Sequence, residues 1–174
     1  MLQYLRKKYT DYKVLGNQQN NKRSKKFVNW ADIQNIVLLY SADKITANHL
    51  NFLLELFEGK NVSVWGFSNR EIAPGHGGKI NIFGKKDINL LGKPSDHTIN
   101  TFKNVSCDVL IDLCTEEVLP VKYLLSLSNA PCKCGLKKVD FDKLYDLEVS
   151  APAKTKEDEL LKLIIFYLKA IKSK

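Results

Sequence analysis

The residues best suited to chemistry in this chain are short polar side chains that follow apolar runs. Ser41 and Asp43 come directly after residues 36–40. Ser68 and Asn69 follow residues 62–67, and Asp112, Cys114 and Thr115 lie at the end of residues 107–113. If those runs are parallel strands, their carboxyl ends lie side by side, where open α/β sheets bind ligands. Carboxylates and hydroxyls converging there would suit Mg²⁺, a ribose or a phosphate. The plainer alternative is that Asp43, Ser68 and Thr115 bond backbone groups at helix starts and turns. Asp112 is the strongest candidate, because a carboxylate inside so apolar a strand is costly unless paired or used.

Other motifs fall short of a reaction. The loop over residues 73–78 ends in Gly78-Lys79, yet Ala73 stands where a phosphate loop needs glycine and Ile80 where it needs Ser or Thr. There is no GxGxxG, no HExxH and no GxSxG. His76, within the glycine-rich loop, is the histidine best placed for catalysis. Cys132-Lys133-Cys134 puts two thiols on one strand face, but the CxxC spacing of metal and redox sites is absent. Buried structural thiols are expected, with no structural zinc and no disulfide. No cofactor is indicated.

These residues need elements to position them. At 174 residues the chain suits one domain with a self-sufficient core. The run 36–40 is continuous, β-rich and apolar, as a strand buried on both faces should be. Thr46 can cap a helix carrying Leu50, Leu53, Leu54 and Phe57, and Gly59 stops it. Residues 62–67 complete a βαβ unit. Shorter strand candidates lie at 80–83 and 88–91. Ser95 can cap a helix to Lys103, and 107–113 is a further central strand beside 36–41. A helix over 118–127 has Pro120 in its first turn, where proline is tolerated. Strands at 131–136 and 145–149 and a helix over 156–172 follow. The alternation predicts an α/β three-layer sandwich with a mostly parallel, Rossmann-like sheet, the last strand being free to run antiparallel.

The charge is uneven. Residues 1–30 hold eight cations and one acid, or +7 of the formal +8. The division predicted is a basic N-terminal arm, 1–26, partly helical or mobile, and a single α/β domain, 27–174. Leu2, Leu5, Tyr9 and Tyr12 form an apolar stripe that could dock on the body or on a partner, and residues 16–21 read as a polar linker. Arg6, Lys7, Lys8, Lys22, Arg23, Lys25 and Lys26 are the candidate contacts to a polyanion, RNA or DNA above all. The plain alternative is a solvated arm. There is no apolar run long enough to span a bilayer, and Arg6, Lys7 and Lys8 stand where a secretory signal needs an apolar core, so a cytoplasmic setting is expected.

Several stretches together carry a family resemblance. They are residues 27–31 running into 36–41, residues 87–94, residues 107–113 with 119–123, Tyr145-Asp146-Leu147, and the helix holding Tyr167-Leu168. Over roughly residues 25–172 the chain resembles a domain family of unknown function, made up of small cytoplasmic proteins from the Bacteroidota. The resemblance implies an α/β fold in a bacterial cytoplasm and brings no activity, cofactor or catalytic residue with it. The functional reading is therefore a non-enzymatic binding or interaction protein engaging a polyanion or a protein partner. Its rival is a small enzyme or ligand-binding domain with a pocket around Asp43 and Asp112.

Overall fold

The computed structural model describes residues 1–70, 80–139, 141 and 143–172. The glycine-rich loop with His76 lies outside the described residues.

The apolar runs become the centre of a six-stranded sheet. Its strands are β1 (Asn35–Ser41), β2 (Asn61–Ser68), β3 (Ile80–Gly84), β4 (Val109–Asp112), β5 (Cys132–Leu136) and β6 (Leu147–Val149). They lie in the order β3-β2-β1-β4-β5-β6, and every neighbouring pair is parallel. Leu38 on β1 sits between Val64 and Ile111. The order runs outward from β1 to β3 and then restarts at β4, so the winding reverses between β1 and β4. This is the Rossmann-like, doubly wound order.

Alternation sends Ile36, Leu38 and Tyr40 to one face and Val37 and Leu39 to the other. The first face is covered by α2 (Ala47–Glu55) through Leu50 and Leu53 and by α5 (Glu157–Ala170) through Leu160 and Ile164. The second is covered by α3 (Asp96–Lys103) through Ile99 and Phe102 and by α4 (Leu119–Leu127) through Val121 and Leu124. Each such fully buried aliphatic side chain contributes about 1.5–3 kcal/mol. Thr46 and Ser95 cap α2 and α3 as their spacing predicts.

Three local expectations change. Residues 88–91 form a turn rather than a strand: Asn89 accepts the backbone N–H groups of Leu91 and Lys93, and Gly92 takes a φ of +82°. β6 runs parallel to β5, not antiparallel. Its link buries Phe141, Leu144 and Tyr145 in the core on the α4 side, so the chain crosses the sheet face instead of turning back as a hairpin. Residues 16–20 are the end of a helix rather than a linker, since α1 spans Leu2–Asn20. The stripe is divided: Leu2, Leu5 and Tyr12 are exposed and Tyr9 is half-buried, while Thr10 and Val14 beside it are buried. Polar contacts seat the helix on α4. Lys122 donates to Asp11 at 2.7 Å and to Glu117 at 2.6 Å, Lys7 reaches Glu117 at 2.6 Å, and Asn17 donates to Ser126 at 2.8 Å.

Candidate functional site

Asp43 and Ser68 come together at the carboxyl ends of β1 and β2. The Ser68 hydroxyl donates to Asp43 Oδ1 at 2.6 Å, and the Asn69 backbone N–H donates to Oδ2 at 2.9 Å. The Arg70 backbone N–H in turn donates to Ser68 Oγ at 3.0 Å. Burial works against the Asp43 charge, but the bonds from Ser68 and Asn69 outweigh it and hold the carboxyl below its ordinary range. The pair therefore organises the exit from β2. The backbone carbonyl of Ser41 accepts from Lys44 and Ile45 and shapes the turn after β1.

Asp112 is fully buried, on the sheet face covered by α4. Its Oδ1 accepts the Cys114 backbone N–H at 2.9 Å, and its Oδ2 accepts Lys138 Nζ at 2.9 Å and the Tyr145 hydroxyl at 2.5 Å. Gly135 makes this geometry possible. It lies opposite Asp112 on β5, and a Cβ there would stand 2.4 Å from the Tyr145 ring. Burial, reinforced by the Asp112 charge, pushes the Tyr145 phenol well above its ordinary value, so it stays protonated and donates. Phe141 lies between two ammonium groups, with Lys138 Nζ 4.4 Å and Lys122 Nζ 4.8 Å from its ring centre. Asp112 and Asp43 thus each bond to a different set of neighbours.

The open space lies beside them. A cleft of about 750 Å³ sits beyond the carboxyl ends of β1, β4, β5 and β6. Of the polar residues after the strands, Thr115 lines it, at 3.4 Å from Glu157 Oε1. The other walls bring Lys44, Lys137, Lys154 and Lys156 around the opening. Lys44 pairs with Glu116 at 2.7 Å, on a side chain of Glu116 that is 72% exposed. The lining carries four ammonium groups against the two carboxylates of Glu116 and Glu157, so it favours an anion. Periodicity does not find these lysines, because they stand in connections. The signal for them was topological: they follow β1, β5 and β6 at the strand ends.

Burial sets the state of the thiols at two positions. Burial pushes Cys107 up to about 12 and Cys114 well above its ordinary value. The sulfurs of Cys132 and Cys134 lie 3.6 Å apart as free thiols. Among the N-terminal cations, Arg6 donates to the Leu90 carbonyl, Lys7 to Glu117 and Arg23 to Asp146, whereas Lys8, Lys22, Lys25 and Lys26 are exposed.

A doubly wound, all-parallel α/β domain with a cationic cleft at its strand ends is the class that fold and site define. The chain belongs to DUF6913, a family of unknown function whose profile matches residues 5–171. No curated protein and no solved structure matches it. Among the described residues, no helix is long and apolar enough to cross a membrane.

Proposed function

We propose that this chain is a non-catalytic binding protein that takes a small anionic ligand in the strand-end cleft. The observation that carries the reading is the coincidence of place and charge. The cleft lies where the winding reverses, and Lys44, Lys137, Lys154 and Lys156 line it. Against turnover stands the state of the reactive groups. Asp112 and Asp43 are engaged with their own neighbours, and burial pushes the Cys107 and Cys114 thiols up. Free thiols and the family resemblance support a bacterial cytoplasmic setting.

A second reading keeps residues 1–26 as a basic arm on the 27–174 domain. Lys22, Lys25 and Lys26 stand exposed together after α1, which supports contact with RNA or DNA. One experiment addresses both readings. Nucleoside mono- and triphosphates, sugar phosphates and a short DNA duplex are screened by thermal shift and calorimetry against wild type and a Lys137→Gln/Lys154→Gln variant. A cleft ligand at a hundredfold excess over its Kd should stabilise wild type by about 2.7 kcal/mol. That gain should shrink sharply in the double variant. Duplex binding that survives in the variant and collapses with added salt belongs to the arm. Equal small-ligand binding by both proteins, or none by either, overturns the cleft reading.

A further inference from the structure

A second cavity, of about 370 Å³, lies toward the amino ends of the strands, between the end of α1, the last turn of α4 and the start of β5. At its floor is Lys133, which is only 3% exposed. Its position follows from the alternation along β5. Cys132 and Cys134 enter the core under α5, so Lys133 points to the opposite face, toward α4. There its Nζ donates to the Leu125 carbonyl at 2.7 Å. An ammonium carries three N–H donors, and this bond uses one.

Among the described residues, the carboxylate adjoining the cavity is spent elsewhere. Asp146 takes Arg23 through both oxygens, at 2.7 Å each, and Lys25 at 3.3 Å. It also accepts the Lys133 backbone N–H at 3.0 Å. Lys25 and Lys143 stand exposed among the lining residues, with Lys143 held in the left-handed region at a φ of 60°. The described charged side chains that line the cavity are therefore Arg23, Lys25, Lys133 and Lys143, with Asp146 as the adjoining acid. Burial brings the Lys133 amine down to about 7; the Arg23 and Lys25 charges push the same way, and Asp146 and Cys107 oppose them.

We propose that this cavity is a second anion site, separate from the strand-end cleft, that takes a phosphate group against Lys133, with Lys25 and Lys143 closing over it. A dianion seated there supplies the acceptors that the ammonium lacks and holds it protonated. Binding above neutral pH then draws a proton from solution, and affinity falls as Lys133 gives up its proton.

The probes are inorganic phosphate and glycerol phosphate, titrated calorimetrically into the full chain. Wild type should bind at pH 7, and its Kd should weaken by about tenfold per pH unit above that. The heat of binding should depend on the buffer, reporting uptake of close to one proton. Lys133→Met, shown to be folded by circular dichroism, should lose at least about tenfold in affinity and lose the pH dependence. Lys143→Gln should weaken binding by a few fold and keep the pH dependence. In the Lys137→Gln/Lys154→Gln variant the pH-dependent, Lys133-dependent component of binding should persist, which separates this site from the cleft. Tighter binding of glycerol phosphate identifies an ester as the ligand, and tighter binding of phosphate identifies the free ion. Binding unchanged in Lys133→Met, binding lost in the cleft variant, or no binding of either probe at millimolar concentration overturns the proposal.

Discussion

Asp112 and Lys133 are two buried charges on adjacent strands and on the same face of the sheet, and they are treated in opposite ways. Asp112 lies opposite Gly135, two residues along β5 from Lys133. Its carboxylate receives a backbone N–H, a phenol and an ammonium. Among the described residues, the Lys133 ammonium has one carbonyl. A buried charge whose bonding capacity is filled from within the chain belongs to the fold. One whose capacity is left open has paid a desolvation cost that the fold does not recover. Counting partners thus separates the carboxylate that looked functional from the lysine that did not.

The sharpest way to break this contrast is to remove the filled charge. Asp112→Ala leaves the Lys138 ammonium and the Tyr145 hydroxyl buried without their acceptor. It should cost about 3–5 kcal/mol of stability. Urea unfolding followed by circular dichroism measures this. Adding Lys138→Met to Asp112→Ala should recover part of the loss, because the orphaned cation is then gone. A single variant as stable as wild type would mean that the carboxylate is not holding the fold, and the contrast with Lys133 would fail.

Much of the scaffold was legible because burial on both faces writes itself into composition. Residues 36–40 are a continuous apolar run and 62–67 and 107–113 are mostly apolar, and they became β1, β2 and β4 in adjacent parallel register. Thr46 and Ser95 marked helix starts through the chemistry of their own side chains. Asp112 was legible as exceptional, but its role was not, because its partners arrive 26 and 33 residues later from a link without periodicity. The parallel run of β6 depended on the same link. The docking of α1 is hidden in the sequence because it uses Lys7, Asp11 and Asn17, which look like a solvated face until Lys122 and Ser126 are brought beneath them. Lys133 carries a readable sign: a lysine between two cysteines in a strand buried on both faces has no exposed face to occupy.

The open charge can be tested by its response to pH. Lys133 sheds its proton near pH 7 when folded and near its ordinary 10.5 when unfolded. Between those values the unfolded chain binds more protons, so stability rises with pH, by at most about 1.4 kcal/mol per unit for one group. Below about 7 both states are protonated and the penalty is at its full, constant size. Lys133→Met removes the penalty, so the variant should exceed wild type most at neutral pH. The difference should then close as pH rises toward 10. Urea melts of both proteins over that range decide it, since titrations common to the two cancel in the difference. A difference flat in pH would mean that Lys133 keeps its proton throughout and is as well partnered as Asp112.

The smallest effect comes from a third buried polar group, one with no hydrogen-bond partner among the described residues. Thr10 is wholly buried in the middle of α1, where the helix meets α4, and its hydroxyl makes no hydrogen bond. In the unfolded chain that hydroxyl is bound to water, so folding forfeits the bond and gains nothing in return. Thr10→Val keeps the branched shape and a comparable helix propensity while removing the polar atom. The variant should be more stable by roughly 1 kcal/mol, which in a domain of this size raises Tm by about 2–4 °C. Differential scanning calorimetry resolves a shift of that size. The same logic of partner counting that makes Asp112 costly to lose makes Thr10 favourable to lose. A lower Tm in the valine variant would show that the hydroxyl is served by something in the α1–α4 seam, and the ranking of buried groups by unfilled bonding capacity would have to be redrawn there first.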